Sequence, residues 1–224
     1  MLAQEGTDMS SLIFSTDENQ IFVATDTLAV TPTGGPFMFV TKSVHIPHLR
    51  TIIAGTGAGG FANKWALEVS TRMVLRGIEN LDFHTPAALR RLWEEYLCEY
   101  EISDDITTTV YQFGISETTN KVISFAYRSA DTFKSESLQY GTGIKPECTL
   151  PEGEYSLIDA IHGMMEEQRE IQAKEPPESR IYIGGEIQAL YLNKEGCRSF
   201  KIGEFEDFNA QMYEIFENHA RGRS

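Results

Sequence analysis

Residues 10–60 read SSLIFSTDENQIFVATDTLAVTPTGGPFMFVTKSVHIPHLRTIIAGTGAGG, and the fold turns on how this stretch is read. Residues 11–16 (SLIFST) and 20–25 (QIFVAT) are short runs of β-branched and aromatic residues. Asp17-Glu18-Asn19 between them is turn chemistry, so the pair predicts a hairpin. Phe37 to Val40 and Thr51 to Ala54 read as further strands. The glycine-rich turn Gly55-Thr56-Gly57-Ala58-Gly59-Gly60 then opens a predicted helix reaching about Arg76, along which Trp65, Leu67, Val69, Met73 and Val74 recur with roughly helical spacing. Three chemically able side chains stand at equal intervals in this frame. Asp26 follows Ser10 by sixteen residues, and Lys42 follows Asp26 by sixteen more. Asp26 ends one predicted strand, and Lys42 comes just after another. A glycine turn at a helix start is a natural place for backbone N–H groups to meet an oxyanion.

Outward from this stretch the elements alternate in blocks. Thr85-Pro86 has the chemistry of a helix start, and the predicted helix runs to about Tyr100, burying Leu89, Leu92, Trp93, Tyr96 and Leu97. Thr107 to Phe113 and Lys121 to Tyr127 predict two strands joined around Glu117 to Asn120. Ser156 caps a third predicted helix that reaches about Ala173. Arg180 to Ile183 and Glu186 to Leu192 predict another strand pair around Gly184-Gly185, and the tail from Glu206 to Ala220 reads as helix. This order fits an α+β fold, a four-layer αββα sandwich of two antiparallel sheets between helix layers, rather than the βαβ alternation of a doubly wound sheet. No repeat or linker divides the chain, so residues 10–224 read as one domain behind an extension of residues 1–9.

Composition narrows the function. The 224 residues carry 19 Lys and Arg against 33 Asp and Glu, a net charge of −14. Phosphate-binding surfaces need a basic excess, so nucleic acid is not an expected partner. Cys98, Cys148 and Cys197 are scattered, odd in number and without C-x-x-C spacing, which predicts reduced thiols rather than a disulfide framework or a zinc site. His45 and His48 flank Ile46-Pro47 with no third ligand in sequence reach, so packed or surface histidines are expected there and no metal. No apolar run approaches a membrane span and the N-terminus lacks signal-peptide character; no membrane partner is expected, and a cytoplasmic location is.

The 10–60 constellation resembles the proteasome β-subunit family, which includes the bacterial HslV and Anbu proteases. Members begin their mature chain with the nucleophile, carry an "A-x-D" aspartate sixteen residues on and a lysine sixteen beyond, and follow these with an "A-G-x-x-G" turn. Here those places read Ser10, Ala24-Thr25-Asp26, Lys42 and Ala54-Gly55-Thr56-Gly57. The later Gly-Ser-Gly turn of the family resembles Gly141-Thr142-Gly143, which makes Thr142 a supporting residue. The resemblance covers residues 10 to about 200. It implies an N-terminal-nucleophile (Ntn) hydrolase that needs no cofactor and cleaves peptide or amide bonds. Ser10 would be the nucleophile and its α-amine the base. Lys42 would be the tuning cation, Asp26 its orienter, and Gly57, then Gly59, the oxyanion donors. It also implies a homo-oligomeric ring or spiral, a peptide or unfolded-protein substrate, and an ATP-dependent unfoldase as a candidate partner.

The sequence departs from this family in two respects. Serine replaces the threonine nucleophile of proteasome β subunits. The "Asp-x-x-Ser-Gly-Gly" segment reads Arg180, Ile183, Gly184 and Gly185, so its aspartate and serine are missing. These departures leave a non-catalytic structural or assembly subunit as the second reading. An α-amine base also requires Ser10 to be N-terminal. Met9 precedes it directly, and Gln4-Glu5-Gly6 can be encoded CAG GAG GGN, a purine-rich ribosome-binding sequence. Translation from Met9 and removal of that methionine would expose Ser10, so Met1 to Asp8 is expected to be a start-site misassignment.

Overall fold

The 10–60 stretch forms six strands. β1 (Leu12–Thr16) and β2 (Gln20–Asp26) make the expected hairpin, β3 (Leu28–Val30) and β4 (Pro36–Phe39) a small ribbon, and β5 (Ser43–Ile46) and β6 (Thr51–Gly57) a second hairpin. The computed structural model describes residues 10–101, 106–153 and 155–221. Residues 1–9, and with them the expected extension, lie outside the described residues. Beyond β6 come α1 (Phe61–Arg72), α2 (Ile78–Tyr100), β7 (Thr108–Ile115), β8 (Val122–Arg128), β9 (Ser135–Ser137), β10 (Gly141–Lys145), α3 (Leu157–Gln172), β11 (Glu186–Asn193), β12 (Gly196–Glu204) and α4 (Phe208–Arg221). Two five-stranded antiparallel sheets result, ordered β10-β1-β2-β11-β12 and β5-β6-β7-β8-β9.

Strand periodicity explains how the sheets are covered. Successive side chains of a strand point to opposite faces. On β1 and β2, Leu12, Phe14, Ile21 and Val23 join Ile52, Tyr111 and Phe113 of the other sheet in one apolar cluster. The alternate residues Ile13, Phe22 and Ala24 pack with Met164 and Met165 of α3. On the second sheet Ile53, Val110 and Tyr127 turn the other way, toward Trp65 of α1 and Leu89 of α2. Central strands are thus buried on both faces, which is why SLIF and IFVA read as near-continuous apolar runs.

Three expectations need correction. The second long helix does not start at Thr85-Pro86 but at Ile78, and Pro86 lies inside it. Its first turn is capped from elsewhere, because the Glu117 carboxylate accepts the amides of Glu79 (3.1 Å) and Asn80 (3.0 Å). Thr85 instead turns its hydroxyl back to the Leu81 carbonyl (2.8 Å). The first helix ends at Arg72, with Met73 extended. Residues 180–183 form no strand, because β11 has both edges occupied, by β2 on one side and β12 on the other. Its hairpin partner is β12, joined through Lys194 and Glu195.

Candidate active site

The even spacing of Ser10, Asp26 and Lys42 has a simple structural cause. β1 and β2 pair with Leu12 opposite Thr25, so the hairpin returns Asp26 to the place where the chain enters β1. The Ser11 amide donates to Asp26 Oδ1 at 3.0 Å. The β3–β4 ribbon folds the next segment back in the same way. The Val40 amide donates to the Thr27 carbonyl (2.8 Å), and two residues later Lys42 Nζ reaches Asp26 Oδ1 (3.0 Å) and the Leu28 carbonyl (2.6 Å). From the far side, the Gly184 amide donates to Asp26 Oδ2 at 3.1 Å.

The pair is deep in the molecule, with Asp26 fully buried and Lys42 only 6% exposed. Burial pushes the Asp26 carboxyl above its ordinary pKa, while the Lys42 ammonium and the Gly184 and Ser11 amides pull it back. Donors on both oxygens, one of them an ammonium, favour the ionised form. A buried ion pair of this kind is weak evidence for stability, since desolvation opposes its Coulombic gain.

Ser10 is buried to 6% exposure and lines one pocket with Lys42, Val40 and the run Gly55 to Gly60. Gly57 and Gly59, the two expected anion donors, are both in that wall. The wall cannot be built from other residues without cost. Gly57 has φ +94°, and a Cβ there would fall 2.1 Å from the Thr107 carbonyl. The Ala58 amide ties the turn to that same carbonyl (3.2 Å), and Tyr96 of α2 donates its hydroxyl to Gly59 O (2.5 Å). Ala62, Asn63 and Thr108 also line it.

The remaining named residues stand elsewhere. Thr142 is exposed on β10 opposite Ser15, with their hydroxyl oxygens 3.4 Å apart, and does not line this pocket. Arg180 donates to the Ala173 and Glu175 carbonyls at the end of α3, and Ile183 is buried against α3. Among the described residues no three His, Cys, Asp or Glu side chains gather as a metal site, and no helix is long and apolar enough to cross a membrane. Cys148, whose thiol burial pushes up to about 11, and Cys197, raised by the same cause, are both unpaired and away from the pocket. Sequence reasoning did not find the roles of Ser11 and Gly184, which act through backbone amides and carry no side-chain signature for that role.

No protein-family model and no curated protein sequence matches the chain. Its structure is similar to Anbu from Hyphomicrobium sp. strain MC1, with 10% identity over 96% of each chain and a TM-score of 0.57. It is similar too to Anbu (ancestral beta-subunit) from Yersinia bercovieri, with 10% identity, 95% of this chain and 94% of that one covered, and a TM-score of 0.55. At that identity the likeness is one of fold, and the fold this chain has is the proteasome-like one of Anbu.

Proposed function

We propose that the chain is a proteasome-like Ntn hydrolase subunit that cleaves peptide or amide bonds through a serine acyl-enzyme. The single observation behind this is that Lys42, ion-paired with the buried Asp26, lines the same pocket as Ser10 and the Gly55–Gly60 turn. In this reading the layers run helix, sheet, sheet, helix, the four-layer sandwich. Loss of residues 1–9 frees the Ser10 α-amine, whose ordinary pKa of about 7.7–8.0 already suits a base. The amine takes the Ser10 hydroxyl proton as the oxygen attacks a carbonyl carbon. Amides of Gly57 and Gly59 meet the oxyanion. The leaving amine takes the proton, and water then hydrolyses the ester by the same base. Lys42 lowers the pKa of the amine, and Asp26 holds Lys42. The subunit works in a homo-oligomeric ring or spiral in the cytoplasm, with an ATP-dependent unfoldase as candidate partner.

A non-catalytic structural subunit is the second reading, favoured by Arg180 and Ile183. One is engaged in holding the α3 end and the other in the core, so neither supplies the polar support that its counterpart gives in the family. The test is hydrolysis of a peptide panel, with intact mass after a hydroxyl-directed covalent inhibitor, on a chain initiated at Met9. Label on Ser10, and at least a hundredfold loss of rate in Ser10→Ala, are expected, about the size of losing a nucleophile's activation. Equal rates in the two proteins would establish the structural reading.

A further inference from the structure

Each oxygen of Asp26 is held by a backbone amide, and each of those amides lies in a segment gripped by a buried glutamine from a helix. On one side, Ser11 donates its amide to Asp26 and its hydroxyl to Gln168 Oε1 on α3 (2.5 Å), while Gln168 Nε2 donates to the Pro146 carbonyl just past β10. On the other, Gly184 donates to Asp26, the adjoining Gly185 amide donates to Gln211 Oε1 on α4 (3.0 Å), and Gln211 Nε2 donates to Asp207 Oδ2 (2.9 Å). Both glutamines use one acceptor and one donor, in opposite directions, so the orientation of each amide is fixed.

Packing alone does not account for them. Gln168 is fully buried and continues the stripe Ile161, Met164, Met165 at helical spacing, where an apolar side chain of equal volume would serve the core and avoid burying an amide. Gln211 is the one buried residue of α4, and a Cβ on Gly184 would lie 2.8 Å from its Nε2, so helix and turn are in direct contact.

We propose that Gln168 and Gln211 are positioning residues for the Ser10 site: they brace, from two helices, the two segments that orient Asp26 and through it the Lys42 ammonium. This rests on the function proposed above, and the experiment has an arm that does not.

Gln168→Met and Gln211→Met keep volume and lose both bonds. In the full chain, amide hydrogen exchange read by NMR is expected to rise about tenfold or more at Ser11 in the first variant and at Gly184 in the second, with the β6 and β7 amides unchanged. In the chain initiated at Met9, acylation of Ser10 is expected to slow about tenfold at unchanged half-saturation, since small displacements of reacting groups have effects of that order. The pH midpoint of that rate is expected to move upward, because a displaced Lys42 lowers the amine pKa less. A purely structural glutamine would lower the melting temperature and leave the pH midpoint in place. If Gln168→Met does not fold, Ser11→Ala breaks the same bond with one atom removed and must give the same loss of protection. Wild-type protection at both amides, or an unmoved midpoint in both variants, overturns the proposal. A wild-type chain that is never acylated refutes the proposed function instead, and the exchange arm then decides alone.

Discussion

Asp26 and Lys42 sit where a charge is expensive, and each has the other as its only opposite charge within ion-pair distance among the described residues. Asp26→Asn keeps the shape and removes the charge. It would leave the Lys42 ammonium buried with no counter-charge, facing neutral acceptors such as the Leu28 carbonyl, and set an amide N–H₂ against one of the donors now facing Asp26. We expect a loss of about 3–5 kcal/mol, the range for breaking one partner out of a buried pair. Urea denaturation measures it, and a loss under about 1 kcal/mol would show that Asp26 is not a buried anion. The residues themselves were legible from sequence through their equal spacing. Their amide partners were not, because Ser11 and Gly184 serve through the backbone. Gln168 left one trace, a polar residue on an apolar stripe, without saying what it met.

Elements whose signal is local matched the sequence. The β1–β2 hairpin and the third helix came out of alternation, turn residues and 3.6-residue periodicity, which act over a few neighbours. Elements whose ends are settled by distant groups did not. α2 begins seven residues before Thr85 because a carboxylate from the β7–β8 turn supplies its cap, and the chain tolerates Pro86 inside it because Leu81, Leu89, Leu92 and Tyr96 are buried along its length. Glu117→Ala is therefore expected to destabilise the fold by about 1 kcal/mol, the usual cost of losing an N-cap. Exchange should quicken at the Glu79 and Asn80 amides and not at the α3 amides. Unchanged exchange at Glu79 and Asn80 would mean that solvent replaces the cap without loss.

At the scale of the molecule, the central strands of both sheets are buried on both faces, and the groups left partly buried at the sheet edges respond to pH. His45, on edge strand β5, has its pKa lowered from 6.5 by burial. The unfolded chain takes up that proton at 6.5 and the folded chain only at lower pH, so the stability contribution is full above 6.5 and is lost as pH falls through the folded value. The melting temperature is expected to decline below pH 6.5, and His45→Gln to flatten that part of the curve. A wild-type slope in His45→Gln would assign the decline to other groups.

The α+β class, the β1–β2 and β7–β8 hairpins and the Ser10–Asp26–Lys42 spacing were set by the sequence itself, since periodicity and turn chemistry are interactions between near neighbours. Three things were decided only in three dimensions: which strand edges β11 used, where α2 began, and which amides and glutamines surrounded Asp26. All three depend on contacts between residues up to about 160 positions apart, and these form only once burial has brought the sheets and helices together.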